Sequence, residues 1–447
     1  MVANLVLALP AVAARARCFG QLATIVGTRG DDEIRGTRGR DVIVAKGGND
    51  LIMARGGNDL ICAGGGEFDV VFAGAGNDRI SGGRGFDVAF PAGGDDFFDG
   101  GPRFDLVTYE GTQRPVNANL GTGRVTGQGT DRLRSVEGVA GSERDDTLIG
   151  TDASDDLLGY GGNDTITAGD GDDFINSGAG NDTIDGGLGH DFVDFAFAHA
   201  GPRLDDDTLT DAGAEINLVT GSATGGEGVG TDTLTSIEGV GGTLGDDTIV
   251  GNDTFNDIVG FEGDDTINLG GPGDPDDLGT QDLAFPGGGN DTVIGSTGTD
   301  AVDYTFNSLV MEPAYGVTAD LQAGTATGLD IGNDVLTSIE TFVGTFFSDT
   351  ITGSPTSNLL VGLDGSDTLN GGAGDDVLDG DAYVFGLDME LDGNDTIDGG
   401  PGTDVCVGGG VSDAGCESAE LVARTRLAGL ARWGVVSSSY YRFVAGT

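Results

Sequence analysis

Residues 186–194 read Gly186-Gly187-Leu188-Gly189-His190-Asp191-Phe192-Val193-Asp194, and residues 371–379 read Gly371-Gly372-Ala373-Gly374-Asp375-Asp376-Val377-Leu378-Asp379. In both, glycines lead to an acid at the sixth place, and an apolar side chain follows two residues later. Working outward from Asp191 in steps of nine, the acid recurs at Asp182, Asp173, Asp164, Asp155 and Asp146. An earlier series runs Asp32, Asp41, Asp50, Asp59, takes one extra residue, and resumes at Asp69, Asp78, Asp87, Asp96 and Asp105. Later copies place acids at Asp247, Asp265, Asp291, Asp300, Asp349, Asp367, Asp376, Asp395 and Asp404. The apolar place keeps register with Ile34, Ile43, Ile52, Ile61, Val71 and Ile80, then Leu148, Leu157, Ile166, Ile175, Ile184 and Val193. A short fixed period of this kind specifies a solenoid.

The charge makes the same point from another side. The chain has 447 residues, a net charge of -53 and 86 glycines, with aromatics at 6%. Scattered, that composition would describe a solvated polyanion; placed on a ruler of nine, the acids read as ligands. Carboxylate oxygen is a hard donor suited to Ca²⁺ or Mg²⁺. Softer donors are scarce, since His190 and His199 are the only histidines. So acidic a chain repels nucleic acid and anionic membrane. No segment is apolar for long enough to span a bilayer.

These units resemble the G-G-x-G-x-D-x-U-x nonapeptide of the RTX, or haemolysin-type, calcium-binding proteins. The resemblance implies an all-β chain, a parallel β-roll or β-solenoid in tandem modules, with two nonapeptides per turn and Ca²⁺ bound between successive turns. The Gly-rich half turns tightly, because glycine tolerates positive φ, and aims carbonyls at an ion. The x-U-x half is a short strand. Stacked strands bring the acids into columns about 4.8 Å apart, which repel themselves unless a cation intervenes. Asp146, Asp164 and Asp182 would line one edge and Asp155, Asp173 and Asp191 the other. Asp32 and Asp50 would likewise share an edge opposite Asp41 and Asp59. The extra residue near Gly64-Gly65-Gly66, with Glu67 where Gly is preferred, should bulge. A core one aliphatic residue wide cannot offset chain entropy alone, so folding and binding should be one event. Counting intact loops gives on the order of 10 to 15 ions.

A longer motif interrupts the arrays three times: Gly129-Thr130-Asp131-Arg132-Leu133-Arg134-Ser135-Val136-Glu137, Gly230-Thr231-Asp232-Thr233-Leu234-Thr235-Ser236-Ile237-Glu238 and Gly332-Asn333-Asp334-Val335-Leu336-Thr337-Ser338-Ile339-Glu340. Glu137, Glu238 and Glu340 each lie nine residues before the next array's first acid, so these read as β-rungs that continue the stack without the calcium turn. The organisation is then a secretory signal at 1–16 lacking its basic n-region, arrays at 17–109, 146–195, 247–304 (degraded) and 349–416, interruptions at 110–145, 196–246 and 305–348, and a basic tail at 417–447. Asn256 and Asn358 replace acids, the stretch from Gly270 to Asp282 with Pro272 and Pro275 breaks the pattern, and Asp381 to Asp392 is an insertion. The alternative for the first segment is an apolar strand capping the stack.

Four cysteines allow three pairings, and the local one, Cys18–Cys62 with Cys406–Cys416, is expected of an exported protein. No HExxH and no G-x-S-x-G elbow with a partner histidine occurs, and the two histidines read as surface residues. The expectation is a secreted, extracellular, non-enzymatic calcium-binding protein with a structural or adhesive role and a cell-surface or glycan ligand. The alternative is a calcium-dependent hydrolase or lyase acting on polysaccharide. An ice-binding face would need a regular outward row, such as repeated Thr, and the outward positions look mixed.

Overall fold

A computed structural model describes residues 16–196, 212–225, 228–271, 281–305, 315–381, 394–408 and 412–416. The leader apart from Ala16, His199, Pro272, Pro275, nearly all of the insertion after Asp381 and the basic tail lie outside them. The described residues form strands, turns and bends with no helix. The chain is an all-β, mostly parallel β-roll and divides into two compact units, 1–112 with 122–138, and 113–121 with 139–447.

In the second unit Thr147–Ile149 pairs in parallel with Thr165–Asp170, which pairs with Thr183–Leu188, so that Leu148, Ile166 and Ile184 stack. Opposite them Leu157, Ile175 and Val193 stack in the same way. Partners are 18 residues apart, hence two nonapeptides per turn. All six side chains are fully buried. They form a core one residue wide, each worth roughly 1.5–3 kcal/mol. The first unit repeats the scheme with Ile34, Ile52 and Val71 on one wall and Ile43, Ile61 and Ile80 on the other. The extra residue between Asp59 and Asp69 appears as a register shift between Gly65 and Phe68, at the position expected.

The interruptions are richer than plain rungs. In the second unit, Thr183–Leu188 is followed by Thr231–Thr235, Ser222–Gly225 and Ala214–Asn217 before Thr248–Val250, the middle strand antiparallel to both neighbours. The opposite wall inserts one strand, Gly239–Gly241, between Phe192–Asp194 and Asp257–Val259. Strands from Thr318 to Thr337 repeat the arrangement. One wall therefore gains three strands where the other gains one. Outward positions also segregate by wall, which corrects the mixed reading: Thr147, Thr165, Thr183 and Thr233 stand in register on one wall, as β-branched residues on a half-exposed strand should. On the other wall the outward Phe174 and Phe192 are buried and stacked, 6.1 Å between ring centroids.

Cys18 and Cys62 stand at disulfide distance, as do Cys406 and Cys416, with Cα–Cα separations of 5.7 Å in both pairs.

Candidate metal centre

The acids of the ruler form buried columns along the edges of the roll. In the second unit Asp146 donates its backbone N–H to Asp164 Oδ1 at 2.7 Å, and Asp164 donates to Asp182 Oδ1 at 2.7 Å. On the other edge Asp155 donates to Asp173 at 2.8 Å and Asp173 to Asp191 at 3.0 Å. In the first unit one column runs Asp41, Asp59, Asp78, Asp96. The other links Asp32, Asp50 and Asp69, then Asp87 and Asp105. Past the third interruption Asp349 donates to Asp367, Asp367 to Asp395 and Asp376 to Asp404, and Asp247, Asp265 and Asp291 form a further run.

These bonds use one carboxylate oxygen and leave the other facing inward. Oδ2 of Asp50, Asp59, Asp69, Asp78, Asp87, Asp96 and Asp105 is buried without a hydrogen-bond partner. The same holds for Asp164, Asp173, Asp182, Asp191, Asp265, Asp291, Asp367, Asp376, Asp395 and Asp404. Such an oxygen costs about 1–3 kcal/mol or more when charged, so a repeated row of them requires a partner. In the units that open on glycine, that glycine marks its position. A Cβ on Gly159 would fall against both Asp164 Oδ2 and Ser177 O, and one on Gly186 against Asp191 Oδ2 and Ser236 O. A carboxylate oxygen and a carbonyl oxygen from the next turn therefore converge on the space that glycine leaves open. Among the described residues no group of three His, Cys, Asp or Glu side chains gathers into a metal centre; at rungs such as those of Gly159 and Gly186 a single carboxylate meets a backbone carbonyl oxygen.

Burial drives the pKa of these acids upward, with neighbouring acids adding to it: Asp164 to about 8, Asp173 to about 8, Asp265 to about 9. In the metal-free roll Asp164, Asp173 and Asp265 hold protons at neutral pH.

The opening rungs of each array differ. Thr151 donates its N–H to Asp155 Oδ2 at 2.5 Å and Ser142 donates to Asp146 Oδ2 at 2.5 Å. Thr28, Thr37, Thr243 and Thr345 do the same for Asp32, Asp41, Asp247 and Asp349; Asp300, which closes the third array, takes the same bond from Ser296 while its Oδ1 is left without a partner. In the interior rungs the residue four before the acid instead has positive φ: Gly169 at 125°, Gly187 at 110°, and even Lys46, Arg55, Tyr160 and Leu363 at 92°, 79°, 72° and 77°. The predicted acids thus fall into two groups, protein-satisfied and orphaned. Sequence marks the difference by Ser or Thr four residues before the acid, a signal the ruler of nine does not use.

Four column members were missed, one of them Asp282, which accepts the Asn256 N–H at 2.8 Å and whose Oδ2 has no hydrogen-bond partner. Asp131, Asp232 and Asp334 extend columns from Asp96, Asp182 and Asp291, taking N–H bonds at 2.9, 2.8 and 2.9 Å. The repeated Gly-x-Asp of the interruptions was the signal. Glu137, Glu238 and Glu340 close the opposite columns on Asp105, Asp191 and Asp300. Tyr109 and Tyr304 donate their hydroxyls to Asp131 Oδ2 at 2.9 Å and Asp334 Oδ2 at 2.7 Å. Phe195 holds the equivalent place in the second interruption, and Asp232 Oδ2 has no hydrogen-bond partner. At Asn256 the side-chain amide fills the cradle itself: Nδ2 donates to Thr254 O at 2.6 Å, Asn252 O at 3.2 Å and Leu269 O at 3.2 Å.

His190 is not the surface residue expected. Its ring packs 5.0 Å from Phe255, Nε2 lies 3.4 Å from Asp257 Oδ2, and burial lowers its pKa.

Comparison with family models finds the RTX calcium-binding nonapeptide repeat, a four-copy model, at residues 26–61, 63–89, 140–175, 158–193, 241–271, 286–304, 352–382 and 391–414. These segments fall in every array and cover about half of the chain. No curated protein matches it.

Proposed function

The chain belongs to the RTX calcium-binding nonapeptide-repeat proteins, and from that premise we propose that it is a secreted, calcium-assembled roll with a structural or adhesive role at the cell exterior. The observation that carries the proposal is the row of buried Oδ2 atoms without partners, of which those of Asp87, Asp105, Asp164, Asp191, Asp265, Asp367 and Asp376 converge with a carbonyl oxygen on the space beside a glycine. Ca²⁺ supplies the positive charge and the flexible oxygen coordination that such a donor set lacks. The interior acids from Asp50 to Asp105, Asp164 to Asp191, Asp265 and Asp291, and Asp367 to Asp404 would hold the ions. Thr151, Ser142 and their equivalents seat the opening rungs by hydrogen bonds of the protein's own. Extracellular modules bind calcium in the range of about 10⁻⁴ to 10⁻³ M, so such a chain would stay unfolded in a calcium-poor interior and assemble outside. The Cys18–Cys62 and Cys406–Cys416 pairs fit an oxidising exterior.

Fractionation of cells producing the full chain, with thiol blocking, tests this placement. The expected result is protein outside the cell with all four cysteines inaccessible to alkylation before reduction. Protein confined to the cytoplasm with four free thiols would overturn it.

Asn256 provides a check on the coordination logic. Its amide gives protons to carbonyls that an ion would otherwise use. Asn256→Asp is expected to raise the calcium count by one ion per chain in calorimetric titration, whereas Asn256→Ala leaves it unchanged. No gain in the Asp variant would show that the amide is not what keeps calcium out.

A further inference from the structure

The acidic charge of the chain is distributed very unevenly. The first unit holds 14 of the 21 Lys and Arg residues and 17 of the 74 acids. Eleven of those acids belong to the columns, leaving six, Asp31, Glu33, Glu67, Asp95, Asp99 and Glu110, to face 14 cations. Once the column acids are neutralised, the exterior of this unit is basic.

Four of the cations, Arg79, Arg124, Arg132 and Arg134, stand on the strands of one wall. Arg79 stands beside Phe97 and Phe97 beside Arg132, one per rung, in register. Adjacent rungs are about 4.8 Å apart, so the two guanidinium-bearing strands flank an aromatic ring. The Arg79 guanidinium lies 5.6 Å from the Phe97 centroid. Arg124 pairs across from Arg132 on the next strand, and neither has an ion-pair partner among the described residues. Arg79, Phe97 and Arg132 line a cavity of about 540 Å³ together with Asp78, Asp95 and Asp96. Asp78 and Asp96 are column acids with orphaned Oδ2 atoms.

We propose that this cleft binds an acidic polysaccharide of the uronic-acid class, and does so only when calcium fills the adjoining column. Guanidinium groups recognise carboxylates by paired, charge-assisted hydrogen bonds. Phe97 offers an apolar surface to the C–H face of a sugar ring, and Asn77, Asp95 and Thr130 offer hydrogen-bond partners for hydroxyls. Without calcium the stack does not assemble, and the strands that set Arg79 beside Phe97 and Phe97 beside Arg132 are not held in register. A duplex nucleic acid carries one charge per ~1.7 Å, too dense to lie against Asp95 in a chain of net charge -53; a glycan with one carboxylate per sugar is far sparser. This rests on the exterior, adhesive reading above and gives it a ligand class and a site.

The test uses the intact chain with short oligogalacturonates as probe, at 2 mM calcium and in EGTA, with neutral dextran oligomers and a DNA oligonucleotide as comparison arms. Calcium stoichiometry and circular dichroism are followed in parallel. Binding to the uronate alone, abolished by EGTA and weakened at least tenfold in R79Q/R132Q but less than twofold in R29Q/R38Q, is the expected result. Equal binding by R79Q/R132Q, binding that persists in EGTA, preference for DNA, or no uronate binding by a chain that takes up calcium and folds would each overturn it. In the last case the calcium-roll reading stands; a chain that takes up no calcium would sink that reading instead.

Discussion

Removing calcium at pH 8 is expected to abolish the β-strand circular-dichroism signal and swell the chain toward the dimensions of a coil, with a radius of gyration approaching about 80 Å for 447 residues. The reason lies in the columns. Asp164, Asp182 and Asp232 follow one another up one edge, and a core one residue wide cannot offset that repulsion together with chain entropy. The pH dependence follows from the sign of the shifts. Asp164 and Asp173 titrate near 8 in the roll because they are buried, against about 3.9 in an unfolded chain. The folded, metal-free state therefore holds more protons. The stability contributed in this way is fully present below about pH 4 and is lost as pH rises through 8. The calcium-free chain should regain part of its β signal on acidification to pH 5, and calcium binding at pH 5 should release the protons held by the roll, seen as a binding heat that changes with the buffer's ionisation enthalpy. A β signal indifferent to EGTA at pH 8 would refute the account.

The second large effect concerns a single methyl group. Gly187 has φ of 110°, and a Cβ there would overlap the carbonyl oxygen of Gly169 one turn away. Gly187→Ala forces backbone strain of roughly 1–3 kcal/mol and displaces the carbonyls that line the cradle. The expected outcome is the loss of one to two ions and an approximately tenfold rise in the calcium midpoint, measured by calorimetry and circular dichroism together. Leu188, the next residue, is 69% exposed, and Leu188→Ala should leave both quantities unchanged. If Gly187→Ala binds the full complement at the original midpoint, the glycine half of the repeat is not the cradle.

Both expectations start from features plain in the sequence. The ruler from Asp146 to Asp191 and the apolar place two residues on specify which side chains stack, because a parallel strand of fixed length repeats its own register. The bulge at Gly65 to Phe68 follows from a single extra residue. The antiparallel strand at Ser222–Gly225 was not legible in this way: pairing between strands joined by a short turn depends on which faces meet, and alternation alone does not say whether a strand continues the stack or folds back.

The acid at every ninth residue was determined by sequence alone, and with it the roll, its thin core and its two edges. Tertiary structure decided which of those acids need a cation. Asp155 and Asp173 look alike on the ruler, yet Thr151 satisfies the first while Oδ2 of the second has no partner. The difference is the direction of one backbone N–H four places before the acid: Thr151 turns its own to Asp155 Oδ2, whereas at Gly169, with φ of 125°, the N–H does not meet Asp173 Oδ2.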